Sequence, residues 1–297
     1  MKSENRNINY KKRISETVVT IVGLGVIGGS FAHSLQNIGV KEIFGVDTDE
    51  RTLFKAKERK IITEGFTNPE IPLGKSDLVI ISLYPEIMKP FILKYIGDFK
   101  EGAVVTDVTG IKGKIMEDLK PVLKKSSKNI DFIFGHPMAG REKRGIDFAD
   151  SEVFKNANYI LIKNDENKKE NVEFLTEIIK NIGFKNVSLL TGKEHDEIIA
   201  FTSQLTHAIA VALVNSDNQK YNTDRFIGDS YRDLTRIAKI NEDLWSELFM
   251  GNKENLLEVI KQFENELDII KTALKNNNTE ILKEKFIAST LRREKID

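Results

Sequence analysis

The sequence predicts an α/β fold, a doubly wound parallel sheet followed by an all-α C-terminal portion, and three observations carry that prediction. Apolar, β-branched runs without polar alternation recur through the first 190 residues, as in parallel strands covered on both faces. Helical segments alternate with those runs. Beyond Thr191 no further run of this kind occurs and helical periodicity takes over, so the expected division is 1–190 and 191–297.

The first strand, Val18 to Val22, meets Gly23, Gly25 and Gly28 at the spacing G-x-G-x-x-G. Gly23 permits a sharp turn, Gly25 lets a pyrophosphate approach the backbone, and Gly28 lets the next helix pack against the strand. Ile27, Phe31, Leu35 and Ile38 mark that helix, whose first N–H groups and dipole form an anion site. Glycine turns are common, and the spacing alone is weak evidence. The context supplies the rest: Glu42 to Val46 gives a second strand ending at Asp47, where a carboxylate can accept from ribose hydroxyls and repel a 2′-phosphate. Together they predict a Rossmann-type dinucleotide site preferring NAD to NADP. Val26 and Ile27 in the glycine loop, with Ser82 and Leu83 at a later strand end, are the further expected contacts.

A helix led by Asp49 is expected to reach about Lys60. Leu78 to Leu83, Ala103 to Val108 and Ile130 to Phe134 read as buried strands. Asn158 to Lys163 and Val187 to Leu190 are expected to extend the same sheet, with a helix from about Glu166 to Ile182 between them. His195 to Val214 is apolar on most faces, which suits a helix buried among neighbours or in a dimer interface. Later helices are expected over Asp233 to Lys239, Asn241 to Met250, Lys253 to Lys275 and Asn278 to Leu291, and residues 1–15 as a frayed lead-in.

Composition narrows the function. The 297 residues contain no cysteine, which excludes disulfides, thiolate metal sites and cysteine nucleophiles, and no metal site is expected. Lys plus Arg and Asp plus Glu both number 45, so no net field favours nucleic acid or an anionic membrane. No signal-type apolar region follows the basic N-terminus, and no uncharged apolar run of spanning length is read, so a soluble, cytoplasmic protein is expected.

Ligands in doubly wound sheets bind at the carboxyl ends of the strands. His136, between Gly135 and Pro137, follows a strand directly and would project from a stiff turn. Asp107, Thr109 and Gly110 supply a hydroxyl and a glycine at another strand end, either lining the cofactor or forming a turn. Ser203 and His207 stand one turn apart on an apolar helix, a placement that by itself suits a satisfied core histidine. Arg232 and Arg236 share i, i+4 spacing, and either a forked carboxylate anchor or surface ion pairing explains them.

Five stretches resemble the prephenate and arogenate dehydrogenases of tyrosine biosynthesis: GLGVIGGS at Gly23 to Ser30, GHPMAGREKRGI at Gly135 to Ile146, EHD at Glu194 to Asp196, SQLTHAIAVAL at Ser203 to Leu213 and YRDLTRIA at Tyr231 to Ala238. Trp245 continues the resemblance. It implies His136 as the catalytic histidine, Glu142 as an acid near the pocket mouth, His207 and Ser203 in the substrate pocket, and Arg236 as the carboxylate anchor. It also implies a homodimer through the helical half. The family often carries a serine where this chain has Gly110, which moves the expected catalytic hydroxyl to Thr109. No fused mutase or regulatory module is expected. The activity implied is oxidative decarboxylation of prephenate with NAD. An arogenate dehydrogenase, a β-hydroxyacid dehydrogenase and a non-catalytic nucleotide sensor are the alternatives. The hydroxyacid enzyme would be expected to carry a lysine where this chain shows Ser203 and His207, and retention of His136 and Arg236 argues against the sensor.

Overall fold

The computed structural model describes residues 13–140 and 143–296. Six parallel strands form the main sheet: β1 (Val18–Val22), β2 (Glu42–Val46), β3 (Glu64–Phe66), β4 (Leu78–Ile81), β5 (Val104–Asp107) and β6 (Asp131–Ile133). Their order is β3-β2-β1-β4-β5-β6, so the chain reverses direction across the sheet between β1 and β4. β1, β4 and β5 are buried throughout, as their unbroken apolar runs require. The connecting helices are α1 (Val26–Ile38), α2 (Glu50–Glu58), α3 (Glu70–Lys75), α4 (Pro85–Tyr95) and α5 (Gly113–Lys125). Asp49 caps α2 by accepting from the Arg51 N–H, which is why the helix starts there.

The later strands do not extend this sheet. β7 (Gly135–Met138), β8 (Asn158–Ile162) and β9 (Asn186–Leu190) make a separate three-stranded sheet, β7 antiparallel and β9 parallel to β8, with α6 (Lys169–Asn181) between β8 and β9. His136 is therefore held on a strand opposite Ile160, and the turn expected around it is corrected. The sequence misleads because glycine and proline flank the histidine, which reads as a turn. An edge strand tolerates Pro137, and Gly135 lets the chain pass so close to Tyr159 that a side chain there would overlap its ring. The lead-in is also firmer than expected from Arg13: Ile14 is buried, and the Arg13 guanidinium lies 3.9 Å over the Phe174 ring.

From Gly192 the chain is helical: α7 (Gly192–Ile199), a π turn (Ala200–Gln204), α8 (Leu205–Asn215), α9 (Asp229–Thr235), a 3₁₀ turn (Arg236–Ala238), α10 (Glu242–Gly251), α11 (Lys253–Lys275) and α12 (Thr279–Arg293). A capping box between Thr191 and Glu194 starts α7 directly after β9. The π turn joins α7 and α8 into one run, Gly192–Asn215, long and apolar enough by composition to cross a membrane. That corrects the expectation of no such run, since Ile198 to Asn215 carries no Asp, Glu, Lys or Arg. Only 28% of its most apolar window is buried within the chain.

Candidate active site

Site residues gather where β1, β4 and β5 end and where β7 and the helical half pack over them. In the glycine loop, Gly23 has φ +86°, and a side chain on it would strike the Ser82 carbonyl. A methyl on Gly28 would overlap the carbonyl oxygen of Gly23, whereas one on Gly25 meets nothing within 4 Å. The first turn of α1 has no acidic residue and no side-chain cap, so its N–H groups face that open ground. Asp47 stands at the end of β2, accepting from Leu24 N–H (2.9 Å) and Asp49 N–H (3.0 Å). Val26 is buried, and Ile27, Ser82 and Leu83 are half-buried around the same turn. The loop thus fits a pyrophosphate over Gly25 and a ribose by Asp47.

Past β5, Asp107 and Lys112 form a fully buried ion pair of 2.5 Å. Asp107 also accepts from Thr109 N–H (3.0 Å) and Gly135 N–H (3.2 Å), so it ties the loop after β5 to the start of β7. The Thr109 hydroxyl donates to Asp107 and lies 3.0 Å from the Lys112 ammonium. The hydroxyl is thus turned into the ion pair. Gly110 is the residue beside the histidine: a Cβ there would sit 3.7 Å from His136 Nε2 and 3.1 Å from Leu248 of α10.

The other ring nitrogen of His136 meets the histidine of the EHD stretch. His136 Nδ1 lies 2.9 Å from His195 Nε2, and His195 Nδ1 lies 2.7 Å from Asp196 Oδ1. Asp196 in turn accepts from the main-chain N–H groups of Lys112 (2.8 Å) and Gly113 (2.7 Å). Burial, then the neighbouring His195 and Lys112, holds His136 well below the ordinary imidazole value, so it is neutral at neutral pH. Burial also lowers His195 against the opposing pull of Asp196. Burial draws the Lys112 ammonium down from its ordinary value while Asp107 opposes. The EHD stretch, Glu194 to Asp196, was the signal in the sequence for this group, and its contact with His136 was not legible there.

α10 connects this centre to the helical half. Its Leu248 borders Gly110, and Trp245, one turn earlier, stacks on His207 with ring centroids 3.6 Å apart. His207 Nδ1 donates to the Ser203 carbonyl (2.9 Å), which the π turn presents beside it. Asn241 and Glu247 pin α10 to the β4 end through the Tyr84 hydroxyl (2.8 Å) and Glu86 N–H (3.0 Å). Arg232 and Arg236 are both exposed. The i, i+4 geometry assumed for them is broken, because α9 ends at Thr235 and Arg236 opens the 3₁₀ turn. Arg232 pairs with Asp229 at 3.1 Å. Arg144 is bonded to Glu242 at 2.7 Å. Glu142, like Arg141, lies outside the described residues.

A nucleotide fold that offers its strand ends to a helical domain, with a neutral histidine held between them, is the organisation of a nucleotide-dependent dehydrogenase. The chain belongs to the prephenate dehydrogenase family: that family's nucleotide-binding domain matches residues 31–188 and its dimerization domain residues 191–288. The prephenate dehydrogenase of Lactococcus lactis subsp. cremoris is 31% identical over 277 residues, covering 90% of this chain and 74% of that protein. The crystal structure of prephenate dehydrogenase from A. aeolicus, in complex with hydroxyphenyl propionate and NAD+, superposes with a TM-score of 0.84 at 31% identity, covering 94% of this chain and 98% of the other. Synechocystis arogenate dehydrogenase gives 0.79 at 26% identity, covering 94% and 99%.

Proposed function

We propose that this protein oxidises prephenate with NAD and releases carbon dioxide to give 4-hydroxyphenylpyruvate. The observation carrying the reading is a neutral His136 at the sheet's carboxyl edge, one nitrogen engaged by His195 and the other facing Gly110. When bound, NAD supplies the hydride acceptor. The open ground over Gly25, the α1 N–H groups and Asp47 would hold it. His136 Nε2 accepts the substrate's ring hydroxyl and takes its proton as the carbonyl develops. His207, braced by Trp245, and Ser203 form the substrate pocket in this reading, and Arg236 grips a carboxylate. We place the boundary between the nucleotide and helical domains at 190/191. A homodimer through the helical half accounts for the apolar side chains it leaves exposed, among them Phe226, Leu234, Met250 and Phe286. A cytoplasmic location accords with the lack of cysteine.

Spectrophotometric turnover of prephenate with NAD tests the reading, and absence of NADH formation would refute it. Arogenate is the second substrate to run, because the arogenate enzyme of Synechocystis shares the fold at 26% identity.

Five substitutions bear on the individual parts. Gly25→Ala should fold with an unchanged melting midpoint yet bind NAD weakly, because the methyl fills space kept for the pyrophosphate. Gly28→Ala should instead lose about 1–3 kcal/mol of stability, since backbone must move to admit the methyl. Thermal melts and NAD titration of both variants separate the two roles, and equal behaviour would refute them. Asp47→Ser should narrow the preference for NAD over NADP, read as the ratio of kcat/KM values; a wild type already favouring NADP would overturn that assignment. Arg236→Lys should raise the KM for prephenate severalfold with NAD affinity unchanged, because an ammonium cannot form two parallel hydrogen bonds to a carboxylate. Arg232→Lys should do much less, and the reverse order would move the anchor by a turn.

A further inference from the structure

We propose that His195 and Asp196 are positioning residues that fix the tautomer of His136 and so leave its Nε2 free to accept from the substrate's ring hydroxyl. The inference rests on the reading of prephenate as substrate and deepens it. Asp196 accepts from two main-chain N–H groups, Lys112 on Oδ1 and Gly113 on Oδ2. Both of its oxygens are thus acceptors, so His195 Nδ1 donates to Oδ1 across 2.7 Å. Neutral His195 then presents a lone pair at Nε2, and His136 Nδ1 must donate across 2.9 Å. The order is Asp196 carboxylate, His195 Nδ1–H, His195 Nε2, His136 Nδ1–H. It leaves the lone pair of His136 at Nε2, on the side of Gly110 and Leu248. The neutral histidine side chain in water favours the Nε2–H form, so the hydrogen-bond chain imposes the tautomer the chemistry needs.

The balance of the reaction fits this assignment. The ring C–H electron pair leaves as hydride to NAD+, the bond from the ring to the carboxylate carbon breaks to release carbon dioxide, and its electron pair aromatises the ring. Prephenate dianion and NAD+ thus become the 4-hydroxyphenylpyruvate anion, carbon dioxide and NADH with no net release of a proton. The lone pair at His136 Nε2 accepts from the ring hydroxyl as positive charge develops on its carbon.

The charged and titratable groups facing the pair come from every element packed on it. Asp196 shares α7 with His195, while Lys112, Asp107 and Thr109 lie on the β5 end and the loop beyond it. Lys112 is already paired with Asp107, which leaves Asp196 as the carboxylate that bears on His195.

The test has a readout that needs no substrate. Long-range proton–nitrogen correlation spectra of nitrogen-15 histidine protein should show both His136 and His195 as Nδ1–H tautomers. In His195→Phe, His136 should revert to the Nε2–H form, and kcat should fall about a hundredfold while the NAD Kd and prephenate KM stay within about twofold. His195→Gln places an amide oxygen where Nε2 was, able to accept from His136. It should keep the His136 tautomer and recover most of the kcat lost in His195→Phe. A wild-type His136 in the Nε2–H form, an unchanged kcat in His195→Phe, or a change confined to KM would overturn the proposal. Absence of turnover with the stated tautomers in place would overturn the substrate reading, while the hydrogen-bond order would stand.

Discussion

Replacing His136 by asparagine should leave a folded protein that binds NAD and turns prephenate over about a hundredfold to ten-thousandfold more slowly. The fold survives because the asparagine amide occupies the place of Nδ1 and can still donate to His195 Nε2, the contact made at 2.9 Å in the wild type. What disappears is the nitrogen beside Gly110 that accepts the hydroxyl proton. The loss should fall on kcat, with KM values nearly constant. Burial holds His136 well below its ordinary value of 6.5, so the base is unprotonated at neutral pH. Wild-type kcat/KM should therefore decline only when the pH falls well under that value, as the folded-state imidazole gains a proton and can no longer accept one. The asparagine variant should lack this limb. Initial rates across the acid range, with circular dichroism of the variant, check both statements, and near-normal turnover in a folded variant would remove His136 from the chemistry.

Lys112→Met should be the most destabilising single change near the site. It leaves Asp107 buried without its counter-charge, and breaking a fully buried pair costs about 3–5 kcal/mol. The Asp107 carboxylate keeps Thr109 and Gly135 as donors, which places the expected loss toward the lower end, about 3 kcal/mol. The damage should reach function as well, because Asp107 anchors Gly135, the residue before His136. Removing both charges in Asp107→Leu with Lys112→Met should restore part of the stability, since an apolar pair carries no desolvation cost. Urea unfolding followed by the fluorescence of Trp245, the chain's one tryptophan, measures the series. A double variant less stable than the single would show that the pair itself, and not the orphaned carboxylate, sets the energy.

The glycine turn, Asp47 and the alternation of strands and helices through β6 were legible in the sequence because each is a local property. Steric demand at Gly23 and Gly28, the period of an apolar run and the distance from strand to acid all act within a few dozen residues. The change to helices after Thr191 was legible for the same reason. His136 could be picked out from its place at a strand end and from the family resemblance, but its surroundings could not. Gly135 and Pro137 spell a turn by local rules, and only pairing with β8, two dozen residues further on, makes the segment a strand. Thr109 likewise looked available to His136, and the buried Lys112 claims its hydroxyl instead.

The sequence by itself determined that the chain builds a dinucleotide fold, carries a histidine at a strand end and adds a helical half, since periodicity, glycine spacing and residue order are written along the chain. Only the tertiary structure decided which partners that histidine has. His195 and Asp196 lie some sixty residues from His136, and Lys112 reaches Asp196 through its backbone across 84 positions. Hydrogen bonds of that reach depend on how β5, β7 and α7 pack together, and the burial that keeps His136 neutral belongs to that packing rather than to any stretch of sequence.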